Sequence, residues 1–96
     1  MELSAMGVTV KIPTQLRAAA GGESEAQLEG ATVREVLDSL YERYDGLGER
    51  LADESGSLRR FVNVYLSGED IRFLDGLDTP VDDGAELTIL PAVAGG

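Results

Sequence analysis

The chain has 96 residues, enough for one domain, and carries 18 acidic against 8 basic side chains, a formal net charge of −10. That charge argues against a phosphate backbone or an anionic membrane as partner and favours a basic protein surface. Cysteine and histidine are both absent, which removes disulfides, thiol nucleophiles, thiolate metal sites and the commonest general base.

Val8, Val10 and Ile12 alternate with Thr9 and Lys11, the period of a half-buried strand, and Pro13 interrupts the pattern. Met6, just before this strand, is an alternative start. The first five residues lack the basic start and apolar run of a signal peptide, so a cytoplasmic location is expected. Gly21-Gly22 suits a turn, and residues 24–29 form a second, polar strand that Gly30 ends.

Residues 32–44 form the clearest helix. Thr32 caps it, with Glu35 three residues on to complete a capping box. Val33, Val36, Leu37, Leu40 and Tyr44 share one face, and Gly46 is expected to end the helix in a left-handed conformation. Residues 45–57 read as a glycine- and charge-rich loop with one short helical turn, anchored by Leu47 and Leu51.

Residues 61–66 are rich in β-branched and aromatic side chains and form a strand. Residues 67–70 are then a turn and residues 71–73 a short return strand. Asp75-Gly76 and Asp82-Asp83-Gly84 mark further turns. Residues 85–90 make the last strand, which Pro91 closes for want of an N–H. One helix across one face of a mixed sheet is an α+β solution. The period of two places Val8, Val10, Val62, Val64, Leu87 and Ile89 under the helix.

Chemistry by side chains falls to carboxylates, hydroxyls or the single Lys11. The paired acids Asp53-Glu54, Glu69-Asp70 and Asp82-Asp83 lie beside turn residues, where solvation and Asx-turn geometry account for them. No acidic run has the spacing of a calcium loop, and no metal ligand set is expected. The tail is different. From Leu90 through Pro91, Ala92, Val93, Ala94, Gly95 and Gly96 it bears no charged side chain. Pro91 to Ala94 read as an extended tether. Gly95 and Gly96 lack a Cβ, so they can enter a channel that would exclude any other residue. The terminal carboxylate of Gly96, once activated as an acyl-adenylate, accepts a sulfur nucleophile. A terminus that merely ends in glycine is the competing reading.

The run from Asp83 to Gly96, DGAELTILPAVAGG, resembles the C-terminal signature of the ThiS/MoaD sulfur carriers, ubiquitin-like β-grasp proteins. The likeness extends through Arg60-Phe61-Val62-Asn63-Val64-Tyr65, Glu69 to Phe73, Val8 to Thr14 and the Gly21-Gly22 turn. It is greatest for the branch that serves one bacterial route to cysteine. The resemblance implies a β-grasp domain at residues 7–90, an N-terminal extension at 1–6 and a reactive tail at 91–96.

It also implies a carrier, not an enzyme. An E1-like adenylyltransferase/sulfurtransferase adenylates Gly96 and converts it to a thiocarboxylate. A pyridoxal-phosphate (PLP) cysteine synthase takes the sulfur, and a zinc-dependent peptidase releases cysteine. ATP, pyridoxal phosphate and zinc belong to those partners, so no cofactor is expected on this chain. Phe61, Tyr65, Thr88 and Leu90 face away from the helix near the tail root and are the candidate docking residues. Two alternatives stay open: the small subunit of molybdopterin synthase, and an inert ubiquitin-like binding module. The thiamin-pathway carriers are generally shorter and lack the long region at 45–60.

Overall fold

A computed structural model describes residues 7–91. In chain order the strands and α-helices are β1 (Gly7–Lys11), β2 (Glu25–Glu29), α1 (Val33–Arg43), α2 (Asp45–Leu51), β3 (Val62–Leu66), β4 (Glu69–Asp70) and β5 (Glu86–Pro91). Three 3-10 segments lie between them, at Thr14–Ala20, Ile71–Phe73 and Gly76–Asp78. The strands form one mixed sheet in the order β2-β1-β5-β3-β4. β1 and β5 run parallel, and the other pairings are antiparallel. With α1 across one face, this is the β-grasp arrangement. No helix among the described residues is long and apolar enough to cross a membrane.

The core follows from the two periods. Val8, Val10, Val62, Val64, Leu87 and Ile89 are all buried, as the alternation requires, beneath Val33, Val36, Leu37 and Leu40 of α1. Leu16 and Ala20, from the first 3-10 segment, and Leu47 and Leu51 of α2 close the same core.

The N-terminus of α1 is capped, with one change of partner. The Glu35 N–H donates to Thr32 Oγ1 at 3.2 Å. The reciprocal bond to Glu35 Oε1 comes from the Ala31 N–H at 2.9 Å, one residue earlier than a capping box places it. Just before it, Gly30 is required by space: a Cβ there would lie 2.7 Å from the Val36 backbone nitrogen.

Three local expectations are corrected. Gly46 does not end α1. The chain leaves that helix through Tyr44 in extended backbone, and Gly46 lies inside α2. Its reason is close packing, since a Cβ there would meet the Ala19 Cβ at 3.3 Å. Next, the return strand is Glu69–Asp70, and Ile71–Phe73 is a 3-10 turn. The hairpin is tighter than expected because Ser67 (φ 49°) and Gly68 (φ 94°) both adopt positive φ, as a two-residue type I′ turn needs.

Finally, β5 includes Pro91, which pairs with Val62. The Ser67 N–H donates to the Glu86 carbonyl, and bonded pairs alternate along an antiparallel ladder. Pro91 therefore falls in a non-bonded pair with β3. On its other side the pairing with β1 stops at Lys11–Thr88. The missing N–H costs no ladder bond.

Candidate functional site

β5 is the middle strand of five, held by β1 on one side and β3 on the other. It delivers the chain at Pro91 to the tail. Ala92, Val93, Ala94, Gly95 and Gly96 lie outside the described residues, and the described part of the site is the tail root.

Beside the root, the outward positions of β5 and β3 come together. Thr88 pairs with Tyr65, and Leu90 with Asn63. Leu87 and Ile89 alternate with them and are buried, so Thr88 and Leu90 stand on the face opposite α1. Leu90 is 45% exposed and Phe61, just before β3, is 51% exposed. Tyr65 and Thr88 are half-buried. Around them the face is polar: Lys11 lies 3.7 Å from both Glu25 and Glu86, and Gln27 donates to Thr9 across β1 and β2 at 2.7 Å.

A second polar group borders the same face. Asp70 Oδ2 accepts from Arg72 Nη2 at 2.9 Å, and Asp70 Oδ1 accepts from the Arg72 N–H at 2.9 Å. Arg72 also donates to the side chain of Asn63. Hydrogen bonds from Arg72 hold the Asp70 carboxyl below its usual range, and the same ion pair raises the guanidinium. Arg72 thus ties the short strand β4 to the middle of β3, next to Leu90. Sequence reasoning misses this link, because it places β4 two residues late.

The acidic pairs serve local structure. Asp53 Oδ1 accepts from the Ser55 N–H at 2.9 Å, the Ser55 hydroxyl at 2.7 Å and the Ser57 N–H at 3.1 Å. Those bonds pull its carboxyl down, with the Ser55 hydroxyl leading. Asp83 Oδ1 accepts from the Gly7 N–H at 2.9 Å, closing the turn before β5 onto β1. These are turn and capping roles of the kind the spacing implied.

Also at the root, and sharing Phe61 with the outward face, lies a groove of about 260 Å3. Its walls include Leu16, Arg50, Leu51, Arg59, Phe61 and Pro91. Leu16, Arg50 and Arg59 carry no local signal that would have placed them here, since the groove exists only once four segments converge.

The model of the ThiS family matches residues 10–96. The sulfur carrier protein CysO of Mycobacterium tuberculosis H37Rv is 50% identical over 93 residues, covering 95% of this chain and all of that one. Among solved structures, a chain of the Amycolatopsis orientalis BexX/CysO complex superposes with a TM-score of 0.85 at 53% identity, covering 93% of this chain and 99% of the other. The crystal structure of M. tuberculosis CysO gives 0.82 at 49%, covering 90% and 99%. The order of strands, the helix beneath them and a match that runs through the last glycine agree with one another: this chain belongs to the ThiS family.

Proposed function

We propose that the chain carries sulfur on the carboxylate of Gly96 and supplies it for cysteine synthesis. The observation that carries this reading is the 50% identity to a sulfur carrier protein, CysO, along that protein's whole length. The tail root supports it. A strand anchored on both sides presents Pro91 and the tail beyond it, and the carboxylates of Asp53, Asp70 and Asp83 are engaged in turn contacts and an ion pair.

In this reading an E1-like enzyme joins the Gly96 carboxylate to AMP from ATP and expels pyrophosphate. A sulfur nucleophile then displaces AMP and leaves a thiocarboxylate. Its sulfur adds to the aminoacrylate held by a pyridoxal-phosphate cysteine synthase. An S-to-N acyl shift leaves cysteine in amide linkage to Gly96, and hydrolysis by a zinc peptidase returns the carboxylate. The tail at 91–96 threads the partners' channels, and Phe61, Tyr65, Thr88 and Leu90 dock against them. Residues 7–90 hold the tail, and residues 1–6 extend beyond the domain.

The test is intact mass after incubation with ATP, a sulfur source and the cognate activating enzyme. The expected shift is that of one oxygen replaced by one sulfur, lost when Gly96 is deleted. The sulfurated chain is then offered to a cysteine synthase carrying aminoacrylate. Transfer supports the cysteine route. Loading without transfer, with sulfur delivered to a pterin, assigns the chain to the molybdopterin branch. An unloaded chain in the presence of active enzyme identifies a binding module.

A further inference from the structure

The groove at the tail root sets arginines beside apolar walls in an otherwise acidic chain. Leu16, Leu51, Phe61 and Pro91 supply apolar walls, and two of the chain's eight basic residues, Arg50 and Arg59, border them. Arg59 directs Nε and Nη2 to the Glu49 carbonyl at 3.2 and 3.1 Å, which fixes its guanidinium plane and leaves Nη1 outside those bonds, while its charge also acts on the nearby Asp53 carboxylate. Arg50 is exposed on the last turn of α2.

We propose that this groove is a resting site for the chain's own tail, residues 92–96, with the terminal carboxylate set against Arg50 and Arg59. Four observations select this occupant. Pro91 is itself a wall of the groove, so the chain leaves the sheet at its rim. Pro91 lies on the core side of β5, since Leu87 and Ile89 are buried and the period is two. Five residues reach at most about 17 Å when extended, which confines the carboxylate to this end of the molecule. The tail's order, small apolar residues and then an anion, matches apolar walls bordered by guanidinium groups. The antiparallel ladder with β3 does not compete, because the Val62 N–H turns back to the Arg59 carbonyl and ends the extended run.

In this state the carboxylate is paired within its own chain, and a partner must draw the tail out to activate it. The inference goes beyond the sulfur-carrier reading and needs no partner enzyme for its test.

That test is a set of nuclear Overhauser spectra on the methyl-labelled full chain at low ionic strength. Cross-peaks are expected from the Val93 methyls to the Leu16 and Leu51 methyls. Arg50→Gln is expected to weaken them at least twofold while the cross-peaks among Val8, Val36 and Leu40 stay unchanged. Ending the chain at Pro91 is expected to shift the Leu16 and Leu51 methyls. Absence of Val93 cross-peaks to the groove, with truncation felt only at Leu90 and Pro91, overturns the proposal. So do cross-peaks that arise only between differently labelled copies, which would assign the groove to a second molecule's tail.

Discussion

Leu90→Glu separates the outward face of β5 from the stability of the fold. Leu90 is 45% exposed, and the residue opposite it is the uncharged Asn63. Full burial of a leucine is worth about 1.5–3 kcal/mol, so replacing a half-exposed one costs about 1 kcal/mol of folding free energy. A carboxylate in a docking contact costs far more. Central apolar contacts contribute about 2 kcal/mol or more to association, roughly a thirtyfold loss. The expected outcome is a urea midpoint displaced by no more than that 1 kcal/mol, with kcat/KM for thiocarboxylate formation reduced at least about tenfold. Loading is followed by intact mass against activating-enzyme concentration. Unchanged loading by a folded Leu90→Glu chain refutes the docking face. A loss of stability above about 3 kcal/mol refutes the outward placement of Leu90. Tyr65→Glu is a less clean probe, because it sets a second carboxylate directly opposite Asp70.

Other outcomes rest on the fold itself. Gly30→Ala drives a Cβ to 2.7 Å from the Val36 backbone nitrogen, where nothing flexible can yield, and is expected to lower the unfolding free energy in urea by about 1–3 kcal/mol. Ser67→Asn places a residue more tolerant of positive φ at the first position of the β3–β4 turn and should raise stability by about 0.5 kcal/mol; a drop would refute the type I′ assignment. Burial, and secondarily Asp38, pushes the Tyr41 phenol from 10.0 up to about 12. The unfolded chain therefore loses this proton first. Its contribution is full below pH 10, declines as pH rises through the interval and is gone above about 12, so Tyr41→Phe should flatten that part of a stability-versus-pH curve.

The core is legible in the sequence, because the residues that form it obey a single period within each element. Val62 and Val64, Leu87 and Ile89, and the α1 face from Val33 to Leu40 are all buried as their spacing requires. The features that escape a sequence reading depend on contacts between elements. Gly46 looks like a helix terminator by local chemistry, and only the neighbouring Ala19 shows why it is glycine. The 3-10 segment Thr14–Ala20 has a single large apolar residue, Leu16, and so shows no helical stripe, yet Leu16 and Ala20 are buried in the core that α2 helps to close. For β4, two residues are too short to show any alternation, and the positive φ of Ser67 is invisible in a sequence. The functional region divides the same way. The uncharged tail and the outward residues of β3 and β5 announce themselves, whereas Arg50, Arg59 and Arg72 gain meaning only from where the chain brings them.

The parallel pairing of β1 with β5 also has a mechanical consequence. Traction on the tail against an anchor at Gly7 runs along both strands in opposite directions. The hydrogen bonds between them are then loaded together in shear, and none can be peeled ahead of the next. A partner that hauls on the tail against that anchor, or a protease that engages it, meets these bonds in shear.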